Sequence, residues 1–119
     1  LLSANNYAVS LKTLDRFEEA RSLMRKTIPI ARRILGESNE LTLTMRWIYA
    51  EALYKDPVAT PDDLREAVTT LEDAKRIARR VLGSAHPTTA GIEKSLREAR
   101  AALRARETPP PSSSPSESA

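Results

Sequence analysis

The heptapeptide Ile30-Ala-Arg-Arg-Ile-Leu-Gly36 decides the fold, because the chain repeats it as Ile77-Ala-Arg-Arg-Val-Leu-Gly83. The two copies lie 47 positions apart and share six of seven residues. Further upstream, Tyr7-Ala8 matches Tyr49-Ala50 at a spacing of 42 positions. Several matches at one spacing indicate a structural repeat rather than chance. The change of spacing from 42 to 47 indicates an insertion between the two sets of matches. We therefore predict a unit of 42 residues, with five residues added in a proline-containing loop of the second unit.

Each unit has the sequence pattern of two helices. In the long helix of each unit, apolar residues recur three or four positions apart, which places them on one side. Gly36 and Gly83 directly follow these helices, where a left-handed C-cap favours a residue without a side chain. Asn39 is a good N-cap for the next helix, and Pro87 is a good first helical residue. Pro29 falls inside the first long helix and predicts a local kink there.

This pattern predicts an all-α chain of about five stacked helices in antiparallel pairs. The helix after Asn39 carries apolar residues on more than one side, so we expect neighbours on both sides of it. The last helix, which begins at Pro87, has a narrow apolar stripe, which suits the end of a stack. The proline- and serine-rich end has nothing to bury and is predicted to be disordered. The predicted divisions are a repeat domain at 1–106, made of repeat 1 (about 3–38), repeat 2 (about 39–85) and a capping helix (87–106), and a tail at 107–119.

Composition excludes most catalytic chemistry. With no cysteine, the chain has no disulfide, thiolate zinc site or cysteine nucleophile, and the single His86 cannot build a histidine metal cluster. The three glycines stand alone, so they form no phosphate-binding loop. No run approaches the roughly 18 apolar residues of a membrane span, and no signal-peptide pattern is present. We therefore expect a cytoplasmic, non-enzymatic protein without catalytic residues, metal or cofactor.

Short motifs follow one another in a fixed order along the repeat. The first unit opens with Asn5-Asn6-Tyr7-Ala8, and Asp15-Arg16-Phe17-Glu18-Glu19-Ala20 follows. The second long helix ends with Leu82-Gly83, and His86-Pro87 comes next. This order resembles the tetratricopeptide repeat, and more narrowly the longer variety found in kinesin light chains. The resemblance covers about residues 3–105, although the asparagine pair occurs in the first unit only.

The resemblance implies a right-handed superhelix in which the first helix of each pair lines a concave groove. In similar proteins that groove holds an extended peptide. Asn5 and Asn6 are the first candidates for peptide contact, because a side-chain amide can both donate to and accept from a peptide backbone. Trp47, 42 positions after Asn5, is the second candidate, as an aromatic anchor. The alternatives are that Trp47 belongs to the core between helices and that Asn5 is an ordinary surface residue.

The charge distribution supports a weaker hypothesis about the partner. The net charge is +3, and Arg97, Arg100 and Arg104 form a basic series on the last helix. Such a face would attract an acidic peptide, whereas helix-end charge compensation and solvation are the ordinary explanation. No aromatic residues interleave with these arginines, so base stacking has little support and nucleic acid is not expected as a partner. A membrane is not expected either.

The favoured interpretation is a non-catalytic scaffold that binds a partner peptide in the concave groove. The rival is a structural C-terminal arm of a larger enzyme, such as a methyltransferase that carries a zinc-binding domain. The chain opens with Leu1 and Leu2 rather than methionine, so we expect it to begin inside a longer protein. An exposed first helix would also allow the fragment to self-associate.

Overall fold

The structure is a computed structural model that describes residues 1–107. This part of the chain forms five α-helices and no strand, which confirms the predicted all-α fold class. The predicted tail at 107–119 lies outside the described residues, except that Glu107 is the last residue of the last helix. The helices are α1 (Leu2–Thr13), α2 (Phe17–Leu35), α3 (Glu40–Tyr54), α4 (Pro61–Val81) and α5 (Pro87–Glu107).

The five helices form two layers. Each helix packs against the next along the chain, and α3 also contacts both α1 and α5. We call α1, α3 and α5 the inner layer, and α2 and α4 the outer layer. Within residues 1–107, α2 and α4 do not contact each other. Because the inner helices touch and the outer helices are separated, the array curves towards the inner layer. A right-handed superhelix stays a prediction.

Helix α3 is enclosed by its neighbours, as its sequence predicted. Ten of its fifteen residues are buried. The main core joins all five helices and is built largely from alanine, leucine and isoleucine. Small side chains let the outer helices approach α3 closely, since Ala31, Ala67, Ala74 and Ala78 are all fully buried. Burying apolar surface between stacked pairs is the main source of stability in such an array.

Local sequence signals set the beginnings of α3 and α4. The side chain of Asn39 accepts a hydrogen bond of 2.9 Å from the backbone N–H of Leu41, which confirms it as an N-cap. At α4, Pro61 is the first helical residue and Thr60 is the N-cap. Thr60 and Asp63 form a reciprocal capping box that the sequence analysis missed. These caps satisfy backbone donors that have no partner inside the helix.

The two glycines after the long helices have positive φ angles, as predicted: 93° at Gly36 and 95° at Gly83. The predicted left-handed conformation is wrong at Gly36, where ψ is 160°. That combination lies outside the left-handed helical region and is essentially restricted to glycine. Pro29 does not end α2, which continues from Phe17 to Leu35.

The added loop between α3 and α4 is attached to both layers. Arg21 of α2 donates to Oδ2 of Asp56 at 2.9 Å and to the Ala52 carbonyl at 3.0 Å. Arg106 near the end of α5 donates to the carbonyl of Ala59. Ala59 is itself buried. The loop is therefore fixed to α2 on one side and to α5 on the other.

Candidate peptide-binding surface

The three predicted peptide-contact residues occupy different environments. Asn5 is only 7% exposed, and its Oδ1 has no hydrogen-bond partner within residues 1–107. Asn6 is exposed on α1. Trp47 is partly buried and packs against the main core. Asn6 is thus the asparagine that a partner can reach without rearrangement, and the suggestion that Asn5 is an ordinary surface residue is wrong.

The indole of Trp47 connects α3 to α5. Its Nε1 donates a hydrogen bond of 2.8 Å to Oγ of Ser95. The far edge of the ring lies over Gly91, where an added Cβ would come within 2.5 Å of Cζ2 and closer still to Cη2. Only glycine permits this approach at residue 91 without a shift of the ring. Trp47 is therefore a contact between α3 and α5.

Glu51 is the centre of a polar network that joins all three inner helices. It receives a hydrogen bond of 3.1 Å from Ser95 Oγ and one from Lys12 Nζ, and Lys55 Nζ lies 3.3 Å from its Oε2. Burial by itself would raise the pKa of Glu51, but Lys12 and then Lys55 outweigh it and hold this pKa below its ordinary value. Glu51 is therefore an ionised carboxylate at neutral pH, although its side chain is only 10% exposed.

Two more contacts join α3 to α5 at the ends of this surface. The hydroxyl of Tyr54 donates to Oε1 of Glu98 at 2.6 Å, and Thr88 donates to Oε2 of Glu40 at 2.9 Å. Burial and then the Glu98 hydrogen bond raise the pKa of Tyr54 well above its ordinary value. The phenol therefore stays neutral and acts as a donor. Together with the Glu51 network, these contacts make the inner surface of α1, α3 and α5 a rigid, polar platform.

His86 has the structural role that its place in the turn indicated. The backbone N–H of Thr88 donates to Nδ1 of His86 at 3.1 Å, so the imidazole caps α5. Its Nε2 lies 3.9 Å from Oε2 of Glu40. His86 thus occupies the position that Asn39 has in the preceding turn.

The predicted arginine series is only partly available to a partner. Arg100 donates to Oε2 of Glu72 at 2.9 Å, so an internal carboxylate already occupies its guanidinium. Arg97 and Arg104 are exposed on α5. Because exposed charges are well solvated, this face attracts anions only weakly.

The roles of Glu51, Ser95 and Gly91 were not predicted from the sequence. A signal was present for Glu51, because it is an acidic residue inside the most apolar helix of the chain. For Ser95 and Gly91 there was no local signal, since both matter through contacts with residues more than 40 positions away.

Within residues 1–107, no three histidine or acidic side chains lie close enough together to hold a metal ion. Over the same residues, none of the helices has the length and apolar character needed to cross a membrane.

Comparison with known proteins gives a family assignment. The family model of the tetratricopeptide repeat matches residues 1–40 and 62–88, which is more than half of the 119 residues. Comparisons with curated proteins and with solved structures return no significant match. The matched segments contain both glycine turns, all of α2, and α4 except its first residue. Tetratricopeptide repeats generally mediate protein–protein interaction and are generally non-catalytic. The repeated helix pairs and the family match agree, and this chain belongs to the tetratricopeptide repeat family.

Proposed function

We propose that this chain is a protein-interaction scaffold that holds an extended segment of a partner protein against its inner layer. The observation that supports this proposal is the platform of α1, α3 and α5, in which Glu51 connects all three helices through Lys12 and Ser95. A platform fixed before binding limits the ordering cost to the peptide itself. Neither catalysis nor a cofactor is part of the proposal.

Two exposed residues on the helices of the inner layer are the proposed contacts. Asn6 on α1 offers an amide that can pair with a peptide backbone. Lys94 is exposed on α5 at the position that Trp47 has on α3, 47 residues earlier. Trp47 is partly buried on α3, the helix that lies between α1 and α5. The longer, kinesin-light-chain-like kind of repeat is part of this proposal, because the asparagine pair and the Leu-Gly and His-Pro turns support it.

Selection of peptides from a random displayed library tests the proposal. Peptides enriched on the unmodified chain should bind Asn6→Ala and Lys94→Ala about tenfold more weakly, the typical cost of a lost contact of about 1.4 kcal/mol. Lys26→Ala, an exposed change on the outer helix α2, is the matched control and should bind normally. Equal binding by all variants would place the interaction elsewhere and contradict the proposal.

The structural-arm function is the second candidate, and one observation favours it. On α1, the side chains of Leu2 and Tyr7 are 61% and 55% exposed, which is a large apolar surface for an outermost helix. In an arm, or in a self-associated pair, that surface would be covered. Sedimentation of the chain with and without Tyr7→Glu distinguishes self-association, and catalytic or cysteine-rich sequence in the same polypeptide would support the arm.

A further inference from the structure

A cleft of about 230 Å³ opens on the opposite side of the array from the inner layer. We call it the outer cleft. It lies between α2 and α4, with α3 as its floor, where the two outer helices do not meet. Its polar lining residues are Arg25, Arg32, Arg46, Tyr49, Glu66 and Thr70.

Arg46 is the unusual residue of the outer cleft, because its side chain is only 7% exposed. Its closest carboxylate oxygens are Oε1 of Glu37 and Oδ2 of Asp73, each at 3.7 Å. Neither distance is short enough for a hydrogen bond. Burial lowers the pKa of Arg46, and the neighbouring Arg32 lowers it further. A guanidinium nevertheless stays charged in proteins, so the cleft holds a desolvated cation without a close acceptor at either of these carboxylates.

The hairpin α4–α5 shows how an arginine at the corresponding position is paired. Residues 47 positions later correspond, so Arg32 matches Arg79 and Arg46 matches Glu93. There the guanidinium of Arg79 donates to Oε2 of Glu93 at 2.6 Å. In the hairpin α2–α3, a second guanidinium (that of Arg46) stands where the hairpin α4–α5 has the carboxylate of Glu93, so two cations occupy the positions that form an ion pair in α4–α5.

The carboxylates around the outer cleft only partly compensate this change. Glu37 lies 3.7 Å from both Arg32 and Arg46, but its side chain is 58% exposed and it belongs to the connector rather than to a helix. Asp73 already accepts a hydrogen bond of 3.1 Å from the guanidinium of Arg76. Glu66, inside the cleft, already accepts the hydroxyl hydrogen of Tyr49.

We infer that the outer cleft is a receptor for a side-chain carboxylate of an acidic partner segment, with Arg46 and Arg32 as its ligands. The incoming carboxylate takes the place that the Glu93 side chain has in the hairpin α4–α5. This site lies on the opposite side of the array from the proposed peptide platform and does not depend on it. The acidic partner expected from the sequence would then bind at the outer cleft rather than at the exposed arginines of α5.

Charge favours a carboxylate over a phosphate as the occupant. Four arginines surround the position (Arg25, Arg32, Arg46 and Arg76), against three acids (Glu37, Glu66 and Asp73). One added monoanion therefore balances the site, whereas a dianion would meet repulsion from the acids already present. The planar fork of arginine also matches the two oxygens of a carboxylate.

Titration of the side-chain Nε–H signals of arginine by NMR tests the inference. The probe is N-acetyl-glutamate amide, and N-acetyl-glutamine amide and inorganic phosphate are the comparison compounds. We expect saturable shifts of the Arg46 signal with the glutamate compound and weaker effects of both others. Arg32→Gln should weaken binding about tenfold, the typical effect of one lost charge-assisted contact. Arg79→Gln is the matched control in the hairpin α4–α5 and should bind normally.

Glu37→Gln provides a change in the opposite direction. Because Glu37 competes for both guanidiniums, its neutralisation should tighten binding of the glutamate compound, and Arg46→Gln should abolish it. Thermal unfolding of each variant checks that the chain remains folded. Equal shifts with the glutamine compound, no saturation, or unchanged binding in Arg32→Gln would overturn the inference. Stronger binding of phosphate than of the glutamate compound would overturn the assignment to a carboxylate.

Discussion

The hairpins α2–α3 and α4–α5 follow one plan but differ in what holds their second helix. Both turn at a glycine with positive φ, at Gly36 and Gly83. Both then bury a threonine, Thr42 or Thr89, completely. At the next turn of the helix they differ, because α3 has Arg46 at the position where α5 has Glu93. The comparison teaches that backbone-determining positions are kept between copies, whereas side chains at the layer surfaces are free to acquire separate interactions.

The largest expected effect concerns the contact between the two hairpins, in which Trp47 of α3 lies over Gly91 of α5. Gly91→Val should destabilise the chain by about 3 kcal/mol, because the new side chain overlaps the ring of Trp47. Thr44→Val, at the corresponding position of α3, should change stability by no more than about 0.5 kcal/mol. Urea unfolding measures both changes. The additional substitution Trp47→Ala should remove most of the extra cost of Gly91→Val, and full additivity of the two changes would show that they do not touch.

The glycine turns should respond equally, since the two glycines have nearly the same positive φ angle. Gly36→Ala and Gly83→Ala should each cost about 2 kcal/mol, because both positions have φ angles that a Cβ disfavours. Open space surrounds both positions, so the cost is conformational rather than steric contact with neighbours. Equilibrium denaturation compares the two variants. A cost at only one glycine would mean that the turns are not equivalent.

A pH series separates Glu51 from Glu98, its counterpart on α5 47 positions later. Glu51 is buried beside Lys12, whereas Glu98 is exposed. At pH 7, Glu51→Gln should cost about 1.5 kcal/mol, the range for a charge-assisted hydrogen bond. The lowered pKa of Glu51 means that its stabilisation is complete above the unfolded value of 4.5 and declines as the pH falls below it.

The difference between the unmodified chain and Glu51→Gln should therefore narrow below about pH 4.5. Glu98→Gln should change stability by less than about 0.5 kcal/mol at neutral pH, because its hydrogen bond with Tyr54 is exposed to water. Thermal melts between pH 3 and 7 provide the measurement. A difference that stays constant with pH would show that the charge of Glu51 contributes nothing.

The smallest effect is a gain in stability. The hydroxyls of Thr42 and Thr89 are buried and have no hydrogen-bond partner in the described part of the chain. Thr42→Val and Thr89→Val should each stabilise the chain by about 1 kcal/mol, because a buried hydroxyl without a partner is costly. Thr44→Val is again the control, since its hydroxyl donates to the Glu40 carbonyl at 2.9 Å. A loss of stability in both variants would indicate that ordered water serves these hydroxyls.

The sequence was informative where a local rule decides the conformation. The helix pairs, the glycine turns, the Asn39 cap and the enclosure of α3 all follow from apolar spacing and turn chemistry within a few residues. Local rules could not predict the burial of Asn5, the contact of Trp47 with Gly91, or the burial of Arg46 without a hydrogen-bonded carboxylate. Each depends on which helix lies opposite, and that is set by packing between residues far apart in the chain.

The five residues added between α3 and α4 disturb neither hairpin, because Asp56 and Ala59 are held by arginines from α2 and α5. What an array of this kind must preserve is the rotational phase of each helix about its own axis, and the connecting segment can lengthen as long as that phase is restored. Val58, at the tip of the loop and 80% exposed, is consequently a place where foreign sequence can be grafted without disturbing the stack.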